Sequence, residues 1–250
     1  MKRIFSVVLL ANLFVISHLA NADISLKDED LLLYLPFNGD TEDLSKNGNH
    51  GELVGSADFV EGKYGEALAF SETGEVRCLY IPLNEKSFTV CMWVNPELAG
   101  GSEQCVFSQI QSNATNTSLH YRIYTNSTVR MGFYNNDLDA PAAVTAGEWV
   151  HICFWLDIDE NSRRIYLNGE QVVEDAGKSG IEYLGSTGNT MIGSWGTSGQ
   201  KFNGIIDEVQ VWDRALTERE IQQSMEDLIT GFAVNGSGKL LTTWGSLKND

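Results

Sequence analysis

An acid stands where its neighbours predict a buried strand. In Gly204-Ile205-Ile206-Asp207-Glu208-Val209-Gln210-Val211-Trp212 the apolar residues alternate, then break phase at the Ile205-Ile206 doublet. That is the pattern of a strand buried on both faces. A lone carboxylate in such a strand costs on the order of several kcal/mol of desolvation unless something compensates it. A hard cation or a set of backbone N–H groups would do so. A second acidic run, Asp157-Ile158-Asp159-Glu160-Asn161, raises the question of glycosidic hydrolysis, which uses a pair of carboxylates about 5 Å apart. The histidines His18, His50, His120 and His151 are scattered, no serine lies in a G-x-S-x-G elbow, and no cysteines form C-x-x-C. Tyr121, Tyr124, Phe133, Tyr134, Trp155 and Trp195 offer aromatic faces of the kind that stack on sugar rings. The Gly185–Gly199 stretch around Trp195 is the most binding-like loop.

These groups must be positioned by strands. From Leu31 to Trp212 short apolar runs alternate with Gly, Asn, Asp and Ser clusters, the signature of an all-β sandwich. Strands are predicted at Leu31–Phe37, Leu68–Phe70, Leu79–Ile81, Phe88–Val94, Val106–Ile110, Tyr121–Thr125, Val129–Tyr134, Trp149–Asp157, Arg164–Leu167, Gln171–Glu174, Met191–Ile192 and Gly204–Trp212. Asn168-Gly169 is a hairpin turn. One helix is predicted from Thr217 to about Leu228, because Thr217 and Glu220 form a capping box and Ile221, Met225 and Leu228 recur at helical spacing. Residues 229–250 read as a loosely docked extension. Asn113, Asn116, Asn126 and Asn235 head N-x-S/T triplets, which mark polar, exposed loops.

Residues 1–22 carry Lys2 and Arg3, an apolar run to Ile16 and an Ala20-Asn21-Ala22 cleavage pattern, so a secretory signal peptide is expected. The apolar run is too short to span a bilayer well, and no later segment is long enough, so no transmembrane segment is expected after cleavage. The formal net charge is −17, and the signal segment would take away two basic residues and no acid. Nucleic acid is therefore excluded as a partner, since phosphate binding needs a basic face. A remaining domain at 23–228 is ample for one large core. Four cysteines in an exported chain allow two disulfides in three connectivities, or four buried thiols.

Four blocks in order resemble the laminin G-like, or concanavalin A-like, jelly-roll domains of secreted bacterial proteins. They are Tyr34-Leu35-Pro36-Phe37-Asn38-Gly39-Asp40 with Asp43 to Gly51, then Gly65 to Phe70, then Ser87 to Val94, and finally Glu148 to His151 through Arg164–Gly169 to Phe202–Leu216. The resemblance implies a two-sheet antiparallel sandwich with one short C-terminal helix. It implies a calcium ion at the sandwich edge, tying the first strand to the last. Asp207 matches a ligand of that family, and Asn38, Asp40 and the Gly62–Gly65 turn would complete the set; Asp43 is either a further ligand or an Asx-turn residue. It places the strands of Cys91 and Cys153 in one sheet, and the pairing expected is Cys91–Cys153 with Cys78–Cys105. The fold also includes β-glucanases with an acidic strand motif, from which Asp157–Asn161 departs, so that run is expected to be a solvated turn, and His151 a structural residue. The function expected is a secreted, non-enzymatic module binding carbohydrate or an extracellular protein, with Trp195, Tyr124 and Tyr134 as ligand contacts on the concave sheet. A diverged glycoside hydrolase or lyase and a purely structural interaction module are the alternatives.

Overall fold

The computed structural model describes residues 23–71, 73–99, 103–196 and 200–229. The expected signal segment, and the expected extension beyond Ile229, lie outside the described residues. In chain order the elements are β1 (Leu31–Leu35), β2 (Glu52–Val54), β3 (Ala57–Glu61), β4 (Glu66–Phe70), β5 (Glu75–Cys78), β6 (Phe88–Pro96), β7 (Glu103–Ile110) and β8 (Ser118–Tyr124). They continue with β9 (Val129–Gly132), β10 (Asp137–Ala140), β11 (Val150–Asp157), β12 (Ser162–Leu167), β13 (Glu170–Asp175), β14 (Thr190–Ile192), β15 (Gly204–Trp212) and α1 (Glu218–Gln223).

Two antiparallel sheets face each other, as in a jelly-roll sandwich. The larger runs β13-β12-β11-β6-β15-β4-β3, with β1 also paired to β15; the smaller runs β10-β9-β8-β7-β14-β5-β2. Period-two alternation explains which side chains fill the space between them. On β8, Leu119, Tyr121 and Ile123 are fully buried in the main core, and His120, Arg122 and Tyr124 point the other way. Each fully buried large apolar side chain contributes about 1.5–3 kcal/mol of transfer free energy.

The last strand is buried on both faces, as its doublet predicts. Ile206, Val209 and Val211 enter the main core, and Trp212 belongs to a second cluster with Tyr34, Cys91, Cys153, Trp155, Leu216, Ile221 and Leu228. That second cluster lies on the outer face of the larger sheet, roofed by the chain after β15. The phase break itself falls later than the doublet. β15 pairs with β4 through Gly204–Ile206 and with β1 through Val209–Trp212, and between the two partners the register to β6 slips at Asp207–Gln210.

Cys91 and Cys153 stand opposite each other on β6 and β11 and form a disulfide, as expected. The expected Cys78–Cys105 bond does not form: both are buried free thiols. Cys78 is on β5 and Cys105 on β7, with β14 between them. Two sheet spacings of about 4.8 Å already exceed the roughly 7 Å Cα limit for a bridge. Burial pushes both thiols up to about 12.

Several expected boundaries move. The strand placed at Leu79–Ile81 is instead β5 at Glu75–Cys78, and Leu79 is 75% exposed. β2, β3 and β10 are strands that polar composition hid. The helix begins at its capping box on Thr217 but ends at Gln223, a turn early. The carbonyls that would continue it are taken by the sheet: Gln210 donates to Ser224 O, and Tyr64 and Trp93 both donate to Met225 O. Glu226 and Asp227, acids at a helix C-terminus, also disfavour continuation.

Candidate functional site

The register slip in β15 places two consecutive carboxylates together. In a regular strand Asp207 and Glu208 would point to opposite faces. Glu208 instead has φ +54, a left-handed conformation costing about 1–3 kcal/mol, and the bulge keeps both acids on the outer side. Both are fully buried, and Asp227, 8% exposed, lies over them. Asp207 Oδ2 accepts from the backbone N–H groups of Lys63 (2.8 Å) and Tyr64 (3.0 Å). Gly62 permits that approach, because a Cβ there would stand 2.7 Å from Asp207 Oδ2. Glu208 Oε2 accepts from the phenol of Tyr34, which also reaches Asp227 at 3.4 Å. Asp207 Oδ1 and Glu208 Oε1 are buried without a hydrogen-bond partner.

Burial raises both Asp207 and Glu208, so near neutrality Glu208 is protonated and Asp207 is partly so. Desolvation raises Asp207 to about 7 against the donated backbone N–H bonds, with Asp227 adding to the rise. Desolvation raises Glu208 to about 9, the Tyr34 bond opposing and Asp207 and Asp227 adding. Backbone amides thus compensate one oxygen of Asp207 and leave the other without a partner. Two orphaned carboxylate oxygens beside a third acid are also the donor type a hard cation takes, so the residues fit calcium in kind.

Of the other expected ligands, the Gly62–Gly65 turn meets Asp207 through its backbone N–H groups, and the side chains of Asn38, Asp40 and Asp43 each accept backbone hydrogen bonds. Asp43 spends its carboxylate on the backbone N–H groups of Tyr34, Ser45 and Asn49 and on the Ser45 hydroxyl, stapling the loop after β1. It is the Asx-type residue of the two readings. Asn38 accepts from Glu66 N, and Asp40 is exposed and accepts from Glu42 N. Among the described residues, the one trio of His, Cys, Asp or Glu with ligand atoms within 4.8 Å of one another is Cys91, His151 and Cys153, already joined by the disulfide.

A second constellation occupies the outer face of the smaller sheet. Alternation on β8 turns His120, Arg122 and Tyr124 outward, and β9 and β10 add Arg130, Asp137 and Asp139. Trp195 packs edge-on against His120 at 5.1 Å, with the Arg122 guanidinium 5.2 Å from its ring centre. Arg130 lies 5.0 Å over Tyr124 and forms two bonds to Asp139. Arg122 bonds Glu103, which also accepts from Gln200. Tyr134 N donates to His120 Nε2 at 3.3 Å. Burial, then Arg122 and Arg130, lower His120 to about 3, so it is neutral at physiological pH. Trp195 therefore packs on His120 and Arg122, Tyr124 lies under Arg130 further along the same face, and Tyr134 meets His120 through its backbone N–H; Trp195 itself is only 9% exposed.

The remaining aromatic candidates are structural. Tyr121 and Phe133 are fully buried in the main core, and Trp155 is buried under Leu216, donating to its carbonyl. His151 is fully buried against Trp93, and desolvation lowers it to about 3. Asp157 accepts from Ser87, Asp159 N and Glu160 N, organising the β11–β12 turn. A carboxylate so occupied is a turn residue, as expected. Glu208 and Asp227 were not anticipated; the adjacency of two acids in an apolar strand was the available signal. Arg122 and Arg130 lie within strands expected from the sequence, whereas His120 precedes the expected start at Tyr121.

The architecture is a two-sheet jelly roll with a roofed outer face on one side and a polar, aromatic outer face on the other. Residues 70–222 match the Laminin_G_3 family of the concanavalin A-like lectin/glucanases superfamily, and the chain belongs to that family. It is 24% identical over 153 residues to the pentraxin-related protein PTX3 of Mus musculus, and 26% over 152 residues to that of Homo sapiens. Both matches take in 57% of this chain, which spans 40% of the length of those curated relatives. Among solved structures, domain 4 of AbnA, a GH43 extracellular arabinanase from Geobacillus stearothermophilus in complex with arabinotriose, superposes with TM-score 0.64 at 19% identity. That likeness covers 79% of this chain and 98% of the domain. The binding domain of Paraclostridial Mosquitocidal Protein 1 superposes with TM-score 0.59 at 17% identity, covering 77% of this chain and 51% of that one. At these identities the structural likeness establishes the fold alone. No helix among the described residues is long and apolar enough to cross a membrane.

Proposed function

We propose that this protein is a secreted, non-enzymatic carbohydrate-binding module with calcium in its sandwich. The observation that carries the reading is the outer face of the smaller sheet, where Trp195 packs on His120 and Arg122 and Tyr124 lies under Arg130. Aromatic faces beside fixed donors and acceptors suit a hydroxylated ring. The opposite outer face is occupied by its own apolar cluster under α1. The arabinotriose held in complex by the arabinanase domain supports the choice of carbohydrate. The basic, apolar and small-residue pattern of residues 1–22 supports export. Acid–base catalysis has no support at Asp157, whose carboxylate is held in a turn.

Calcium enters through Asp207 and Glu208. Their orphaned oxygens would hold the ion, with Asp227 adjacent. The ion would supply structural charge compensation, allowing both carboxylates to ionise.

A glycan array with calcium present tests the first part: binding is expected, and Tyr124→Ala should weaken it at least tenfold without lowering Tm. Absence of binding to every glycan would refute it. Thermal melts in calcium and in excess chelator test the second. An unchanged Tm would remove calcium from the proposal.

A further inference from the structure

We infer that a pocket at the loop end of the sandwich receives a single terminal sugar ring of a glycan, a site separate from the face of β8–β10. The inference rests on the carbohydrate reading above and names a second contact for it. The pocket has a volume of about 240 Å³ and lies between the β11–β12 turn and the segment 179–184. Ile158, Ile181 and Leu184 supply an apolar wall, and Asn161, Ser179 and Glu182 supply polar groups around it.

The pocket is pre-formed, because buried asparagines pin its walls. Asn116, expected to mark an exposed loop, is 4% exposed. Its N–H donates to Tyr134 O, its carbonyl accepts from Leu184 N, and its side chain donates to Ser179 O and accepts from Asn136 Nδ2. Asn136 also donates to Gly180 O and accepts from Lys178 N, and its own carbonyl is held by the buried guanidinium of Arg163. Walls ordered in advance leave less conformational entropy to lose on binding. Gly180 adopts φ +79 and a Cβ there would meet nothing within 4 Å, so the backbone faces open space.

Size and chemistry select the ligand. A pocket of this volume is smaller than drug-sized sites of about 300–1,000 Å³. It suits one ring read end-on, whereas a chain of sugars would need an extended groove. Among the described residues the side chains of Asn161 and Glu182 make no hydrogen bond or ion pair within the protein. An amide and a carboxylate beside an aliphatic wall match a ring that has hydroxyls on its edge and C–H groups on its face. Glu182, an acceptor of hydroxyl protons, disfavours an anionic ligand.

The test is NMR titration of the 15N-labelled protein with methyl glycosides of arabinose, galactose, glucose and N-acetylglucosamine. At least one should shift the amides of Asn161, Gly180, Ile181 and Leu184 in a saturable way. Leu184→Arg, at a 41% exposed position, should weaken that binding at least tenfold with Tm unchanged, and Tyr124→Ala should leave it intact. Glu182→Ala gives a second variant that leaves the backbone undisturbed. Shifts confined to β8–β10, with Leu184→Arg equal to wild type, would overturn the pocket and leave the sheet-face reading standing. Absence of any saturable shift, with no binding on the glycan array, would overturn both.

Discussion

Tyr34 on the first strand donates its phenol proton to Glu208 on the last, 174 positions away, inside the larger sheet's outer cluster. The bond closes the sandwich where β15 changes partner from β4 to β1. It also fixes a bulged residue at positive φ. An acid that could have remained a local strain thereby becomes a long-range tie.

The pH dependence of stability follows from that tie. Glu208 is raised from an ordinary 4.5 to about 9, and Asp207 from 3.8 to about 7. A carboxyl raised on folding binds its proton more tightly in the native state. Its contribution is therefore present below the unfolded value and is lost as pH rises through the folded one. Between pH 7 and 9 Glu208 should lower stability by roughly 2–3 kcal/mol, at about 1.4 kcal/mol per unit. Urea melts in chelator should show the decline, and Glu208→Gln should flatten it. Saturating calcium should also reduce it, because the ion favours the ionised form.

His120 and His151 act in the opposite direction. Both are lowered by burial from 6.5 to about 3. The unfolded chain binds these protons first, so stability is lost as pH falls from 6.5 towards 3. A His151→Gln variant should lose less stability between pH 6.5 and 4 than wild type, by on the order of 1.4 kcal/mol per pH unit. Equal acid limbs for the two proteins would contradict the assignment.

Reduction should weaken the sandwich without exposing new reactive surface. The Cys91–Cys153 bridge spans 62 residues, and its removal by a double Cys→Ala change should cost about 2–4 kcal/mol in urea melts. Peptide mapping without reductant should find that bridge alone. Cys78 and Cys105 should react with a thiol reagent only at the rate of unfolding, given their burial.

Arg163 is the most exacting position near the pocket. Its side chain is fully buried, forms two bonds to Asp175 and holds Asn136 O. Arg163→Ala strips Asp175 and the Asn136 carbonyl of their partner, and should cost about 3–5 kcal/mol. Arg163→Lys should recover part of that loss and not all, since an ammonium cannot make the same paired contact. Chemical denaturation of the three proteins checks the order.

The strands that sequence reveals well are those rich in apolar residues. β15 is found with its observed ends, Gly204–Trp212, and β6 and β11 nearly so, whereas β8 begins at Ser118, before the expected Tyr121. β2, β3 and β10 escape because edge strands bury little, and Glu52, Asp58 and Asp139 look like loop residues. Tyr124, Tyr134 and Trp195 are legible as binding-type residues, but nothing in their spacing says that Trp195 packs on His120 or that Tyr124 lies under Arg130. The hydrogen-bond roles of Asn38, Asp40 and Asp43 are hidden for a related reason. Oxygen-bearing residues near a turn look alike in sequence, and only hydrogen-bond geometry shows which are already committed.

The chain by itself determines the class of fold, the helix cap at Thr217, and the presence of an acid at 207 that must be compensated. Those properties depend on periodicity and local chemistry, which short windows contain. The tertiary structure decided the means of compensation, the Glu208–Tyr34 tie, the failure of Cys78 and Cys105 to meet, and the pocket beside Asn116. Each depends on strands distant in sequence being set at fixed spacing and register, and a shift of one residue would turn every such side chain to the other face.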